Sequence, residues 1–314
     1  MKEKNKPFSI VSVNISKQKG TVKKPVDHIN LTSKGITSDA HAGTWHRMVS
    51  LLGTESFKKF ESEAGRPLAY GEFAENITTE GIILYKTAPF DRLCIGEVVL
   101  EVTQIGKKCH GSNCAIFKEV GNCVMPKEGI FARVLQEGKL QAGDKGIYIP
   151  KIFKVMIITL SDRASQGEYE DRSGPAIAEK LQSFLGMNNW QYEIDHKLIP
   201  DDPEQLDVLI KDAVNQEFDL IFTTGGTGIG PRDFTPDVVK KHLDIEIPGL
   251  MDHIRLKYGS ENPQALISRS IAGRINECLV FVLPGSVKAI SEYMHEILAG
   301  LRHMLFMTKG IDIH

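Results

Sequence analysis

Residues 223–236 read TTGGTGIGPRDFTP, a run whose residue types suit the binding of an anion. Gly225, Gly226 and Gly228 can take positive φ and let a ligand approach the backbone, so successive N–H groups can point at phosphate. The hydroxyls of Thr223, Thr224 and Thr227 suit the same oxygens. A helix is expected to start near Thr235 and Pro236 and to add its positive end. The competing reading is a tight turn after a strand. Asp233, next to Arg232, would sit unfavourably beside a phosphate unless a cation separated them, which points to Mg²⁺. The alternative is a surface ion pair or a helix cap. Asp201 and Asp202 in LIPDD carry the same two readings, while Ser161, Asp162 and Arg163 form a third polar cluster in which Ser161 or Asp162 could simply cap a turn. Arg269, between Ser268 and Ser270, reads as a clamp for a second phosphate or as a solvated arginine. Pro284, Gly285 and Ser286 close an apolar run and open a helical pattern, which brings more N–H groups to one rim.

A second set of reactive types lies earlier in the chain. Cys109, His110, Cys114 and Cys123 fall within 18 residues of one another but lack CxxC pairs, so ordinary thiols compete with a zinc site. Lys107 and Lys108 precede Cys109 and would favour its thiolate. Asp39, His41, Trp45, His46 and Arg47 fall close together, and the two histidines offer metal ligation or polar loop packing. Glu72, Glu75 and Asn76 read as loop-capping groups.

The elements that must hold these residues differ between the two halves. From residue 8 to about 150 the pattern is strand-rich and broken by turns, as in FSIVSVNIS and ILYKTAPFDRLCIGEVVLEVTQI. Helical periodicity is expected over 45–64 and again over 129–136. This predicts a mainly β, barrel-like domain over residues 1–150. Residues 151–314 alternate strand and helix: KVMIITLS, GPAIAEKLQSFLG, WQYEIDHKLI, PEQLDVLIKDAVNQ, DLIFTT, TPDVVKKHL, CLVFVLPG and SVKAISEYMHEILAGLRHML. Such alternation with short connections predicts a doubly wound, largely parallel sheet with ligands beyond the strand C-termini. SDR, LIPDD, TTGGTG and LPGS all fall at such ends.

The 314 residues are 41% hydrophobic and 25% charged, with a formal net charge of −2. That balance argues against nucleic acid or a membrane surface as main partner. The first residues lack the apolar core of a secretory signal. Five cysteines, an odd number, then point to reduced thiols and the cytoplasm.

SDRAS, DRSGPAI, LIPDD, TTGGTGIGPRDFTPD, IPGL, LISRS and LPGS, in this order over 154–305, closely resemble the molybdopterin adenylyltransferase family. The resemblance implies an α/β doubly wound, three-layer sheet of the molybdopterin-binding type. It implies that the terminal phosphate of molybdopterin attacks the α-phosphate of Mg-ATP and releases pyrophosphate. It makes Asp201 and Asp233 the acids at the reaction centre and the holders of Mg²⁺. Ser161, Asp162, Gly225, Gly226, Thr227, Gly228, Thr235, Asp237, Ser268, Arg269, Pro284, Gly285 and Ser286 would surround nucleotide and pterin. A homo-oligomer, a trimer in the family, is implied, with a molybdate-inserting enzyme as a further partner. SDAHAG-WHR, EFAENITTEG, the cysteine of GKKC and LQAGD resemble the MOSC domain over 8–148, a β-rich fold associated with binding molybdenum cofactor or handling its sulfur. Cys109 matches that family's usual cysteine. A pterin-binding carrier without turnover, and a sulfur-transfer enzyme acting through Cys109, are the competing readings.

Overall fold

The computed structural model describes residues 5–107 and 124–312. Cys109, His110, Cys114 and Cys123 lie outside the described residues. The chain divides into two compact units, Met1–Lys151 with Ile311–His314, and Ile152–Gly310.

The first unit is built on strands β1 (Lys6–Ile15), β2 (Lys24–Val26), β3 (His28–Thr32), β4 (Gly35–Ile36), β5 (Val49–Gly53), β6 (Ile77–Glu80), β7 (Arg92–Ile95), β8 (Val98–Ile105), β9 (Ile130–Gln136), β10 (Gly138–Gln141) and β11 (Lys145–Ile149). Seven of them close a barrel in the order β11-β7-β8-β9-β5-β6-β1, with β1 paired back to β11 and β2 added beyond β1. Closure leaves those seven strands without a free edge. Val13, Leu51, Ile77, Leu93, Leu100 and Ala132 fill the interior. Helix α1 (Thr54–Ala64) covers a satellite core in which Phe57 and Phe60 meet Phe73 edge to face at 5.3 and 5.2 Å.

Three local expectations for this unit fail. Residues 130–136 form β9, not a helix. Their Ala and Leu suit a helix, but pairing to β5 on one side and β8 on the other overrides that preference. The helix expected from residue 45 begins only at Thr54, because the all-buried VSLLG is a strand between β6 and β9. Leu84–Lys86 is a single 3₁₀ turn rather than strand.

The second unit has a six-stranded sheet of β12 (Ile152–Leu160), β13 (Gln191–Ile199), β14 (Leu220–Thr224), β15 (Ile245–Glu246), β16 (Ala272–Ile275) and β17 (Cys278–Leu283), ordered β13-β12-β14-β17-β16-β15. The first four are parallel, whereas β16 and β15 run antiparallel at the edge. Helices α2 (Asp162–Ser165), α3 (Ser173–Met187), α4 (Pro203–Asn215), α5 (Thr235–Lys240), α6 (Pro248–Gly259) and α7 (Val287–Thr308) connect them. Helices α3 and α6 both pack on α7, and α4 packs on α5. Met156, Ile158 and Leu160 face the layer of Leu206, Ile210 and Val239, while Val155 and Ile157 are buried between them along the strand. Both faces of the sheet are thus covered, which is why its strands read as continuous apolar runs. The doubly wound, three-layer expectation holds. The antiparallel edge and α6 were not legible, since short edge strands carry little pattern.

Phe222, fully buried on β14, stacks on Phe281 at 4.9 Å. Truncation to Ala should destabilise the second unit by about 3–5 kcal/mol, read as a fall in its urea unfolding midpoint.

Candidate active site

Strand β12 has β13 on one side and β14 on the other, so the chain leaves the sheet centre in opposite directions. Loops that part in this way open a crevice beyond the strand C-termini. The residues after β12, β13 and β14 meet there. Asp201 N–H donates to Asp162 Oδ1 at 2.9 Å, and Asp162 N–H donates to Asp201 Oδ2 at 3.3 Å. This reciprocal pair ties the SDR and LIPDD loops together. Arg232 makes an ion pair with Asp162 and lies 3.7 Å from Asp201 Oδ2. Asp233 accepts from Gly230 N–H at 2.8 Å, and a Cβ on Gly228 would stand 2.7 Å from Asp233 Oδ2. The glycine is therefore what lets the loop fold onto the acid. Burial raises the Asp201 carboxyl above the usual Asp range, and the Asp233 charge adds to the rise.

The remaining predicted residues fall into distinct places. Asp202, the neighbour of Asp201, caps α4 by accepting from Glu204 N–H at 2.9 Å, so of the two adjacent acids one is a cap and the other joins the cluster. Ser161 and Ser286 cap α2 and α7. Gly225 takes φ 103° with its Cα hydrogens against the Leu160 carbonyl, where a Cβ would come within 2.4 Å. Gly285 sits beside it, and Pro284 O accepts from Thr224 Oγ1 at 2.9 Å. Thr223 and Thr235 are fully buried, and each hydroxyl lacks a hydrogen-bond partner among the described residues. Thr227 O accepts from Arg269 N–H at 2.8 Å. The Arg269 guanidinium grips Asp237 at 2.9 and 2.8 Å and donates to the carbonyls of Gly228 and Asp233. It braces the glycine loop from behind. Ser268 Oγ lies 2.9 Å from Ser270 Oγ.

Beside the carboxylates opens a cleft of about 320 Å³, lined by Thr159, Ser161, Tyr169, Glu170, Asp171, Ser173, Thr224 and Gly285 among others. Asp171 accepts from Thr159 Oγ1 at 2.7 Å and from the N–H groups of Ser173 and Gly174, and lies 3.1 Å from His196 Nε2. A Cβ on Gly174 would overlap His196. Tyr169, Asp171 and His196 were not singled out from sequence. The motif DRSGPAI contained the signal for one of them: an Asp two residues before an S-G-P helix start is a cap.

A model described as a probable molybdopterin binding domain matches residues 156–303, and a MOSC domain model matches residues 38–145. The chain is 35% identical over 155 residues to a molybdopterin adenylyltransferase of Helicobacter pylori strain J99, covering 49% of this chain and 86% of the relative. A molybdopterin adenylyltransferase of Pyrococcus furiosus is 36% identical over 161 residues, covering 50% of this chain and 91% of that protein. The chain belongs to the molybdopterin adenylyltransferase family. Gephyrin of Dictyostelium discoideum is 37% identical over 162 residues, but the match spans only 22% of gephyrin's own length.

In this member of the adenylyltransferase family, the described residues hold no cluster of three or more His, Cys, Asp or Glu placed to ligate a metal. Mg²⁺ at a phosphoryl-transfer site needs less, because one or two carboxylates and the substrate's own phosphates complete its shell. Asp201 and Asp233 carry the hard oxygen donors that such a role takes. No described helix is long and apolar enough to cross a membrane.

The MOSC-matching unit has a pocket of its own, about 370 Å³, lined by Lys19, His41, Trp45, Arg47, Lys107 and Phe131 among others. Behind His41, Asp39 and Lys23 form a fully buried ion pair at 2.8 Å. His41 Nδ1 lies 3.3 Å from Asp39 Oδ1. His46 is half-buried, and burial lowers its imidazole below the usual range. Asn76 donates to Asn14 O and accepts from Ser50. Glu72 accepts from Ala69 N–H at 2.9 Å, whereas Glu75 is fully buried and its carboxyl is pushed up to about 7.

Two pH dependences follow. Between the ordinary glutamate value of 4.5 and about 7, folded Glu75 keeps a proton that the unfolded chain has lost. Rising pH therefore removes stability across that window. Glu75→Gln should flatten this slope in the pH dependence of the unfolding midpoint. Asp201 has the same sign. Asp201→Asn should be more stable than the parent at pH 7, and the gain should shrink as pH falls towards 3.8, the ordinary aspartate value.

Proposed function

We propose that the second unit transfers the adenylyl group of ATP to the terminal phosphate of molybdopterin. The observation that carries this reading is the Asp162–Asp201–Asp233 cluster, with Arg232, at the switch point beside a cleft. The phosphate oxygen forms a bond to the α-phosphorus of ATP, and the bond to the pyrophosphate oxygen breaks. Bound Mg²⁺ would neutralise phosphate charge there. Asp201 and Asp233 are the carboxylates that would hold it. Gly225, Gly226 and Gly228 keep side chains out of the path of the phosphates. Arg269, locked to Asp237, keeps that loop in place before substrate arrives, and such preorganisation is the main resource for phosphoryl transfer. Arg232, two-thirds exposed and paired to the acids, supplies a positive charge at the mouth.

For the MOSC-matching unit, we infer that its pocket binds the phosphorylated pterin of the cofactor. Lys19, Arg47 and Lys107 provide cationic groups, and Trp45 and Phe131 provide ring faces. Sulfur handling through Cys109 belongs to the same proposal. It requires a persulfide detectable by mass spectrometry and lost in Cys109→Ala.

The decisive assay is pyrophosphate release from ATP with molybdopterin and Mg²⁺. Asp233→Asn keeps the acceptor oxygen for Gly230 N–H and removes the charge. It should lower kcat by about 100-fold or more while leaving the melting temperature within a few degrees. Retained turnover would rule out a metal-holding role for Asp233.

A further inference from the structure

One wall of the cleft has no task in the proposed reaction. Tyr169 is 47% exposed, yet it is held in place. Its hydroxyl lies 2.8 Å from Ser161 Oγ, and the Arg163 guanidinium stands 5.3 Å from the ring centroid. Ordering a half-exposed ring costs side-chain entropy and returns little burial. A fixed ring at a cleft is what stacking against a planar ligand requires. The next residue, Glu170, also lines the cleft, is exposed, and makes no hydrogen bond or ion pair among the described residues. Asp171 differs, since both its oxygens are already taken by protein donors.

We propose that Tyr169 and Glu170 select the pterin, whose ring stacks on Tyr169 while the Glu170 carboxylate accepts two hydrogen bonds from its aminopyrimidinone edge. The inference rests on the reaction proposed above and adds which substrate fills this cleft. A pterin presents N3–H and the 2-amino group side by side, a two-donor edge that matches the two acceptor oxygens of a carboxylate. Adenine presents its N1 acceptor beside the 6-amino donor, so one carboxylate oxygen would face a lone pair. The cleft volume of about 320 Å³ suits one bicyclic ring with its substituent, not both substrates.

The test uses the full chain with two probes, an oxidised fluorescent pterin carrying a side-chain phosphate, and ATP. Kd values are measured by fluorescence anisotropy and by equilibrium dialysis in a Lys19→Ala/Arg47→Ala background. That background removes the pterin binding proposed for the barrel pocket and leaves the cleft as the site read. Glu170→Gln and Tyr169→Leu should each weaken pterin binding by about tenfold, leaving ATP affinity and the melting temperature unchanged. Tyr169→Phe, which keeps the ring but loses its tie to Ser161, should fall between the parent and Tyr169→Leu. Unchanged pterin affinity in both Glu170→Gln and Tyr169→Leu overturns the inference, as does a parallel loss of ATP affinity. A parent chain that neither binds the pterin nor releases pyrophosphate overturns the reaction itself. A parent that does both, with variants that bind pterin equally well, removes only the assignment of these two residues.

Discussion

Carboxylates gathered in one crevice repel one another, and burial raises the cost of keeping them charged. In the second unit this constraint shapes everything around the crevice. Asp162 and Asp201 exchange backbone N–H bonds, Arg232 lies among the acids, and Asp233 is fastened by a turn of its own loop. The raised Asp201 carboxyl is the residual strain of that arrangement. The site is thus built at some expense to stability, as functional sites commonly are.

The sheet makes this expense bearable. Its parallel strands are covered on both faces, so the loops at their C-terminal ends inherit fixed positions from a rigid core. The glycine loop is seated against the Leu160 carbonyl from one side and clamped by Arg269 from the other. Little of it is left to be ordered when a ligand binds, which spares the conformational entropy that a floppy loop would lose. The barrel unit solves a comparable problem differently. There the buried Lys23–Asp39 pair stands behind His41 at a pocket whose other groups are mainly cationic and aromatic.

Arg269 shows how much of a residue's surroundings its type leaves open. An arginine between two serines suits a phosphate clamp, but its guanidinium is spent on Asp237 and two loop carbonyls. Asp201 and Asp202 show the converse. Two adjacent, equivalent acids in the sequence separate into a cluster member and a helix cap, because α4 begins between them and the next strand. Tyr169 and His196 were invisible for a related reason. Tyr169 sits in a loop and His196 in a strand whose pattern says nothing of its partner; Ser161 and Asp171 lie 8 and 25 positions away in the chain.

By itself the sequence determined the two-domain division of texture, the barrel-like and doubly wound classes, and the loops where chemistry could occur. Those properties follow from local period, turn residues and the placement of polar clusters after apolar runs, all of which a linear chain displays. Only the tertiary structure decided that residues 130–136 are a strand, that Arg269 is a brace, and that Tyr169 and Glu170 line a cleft. These depend on which groups meet across the chain, where pairing energy and shared charge outweigh what each segment prefers alone.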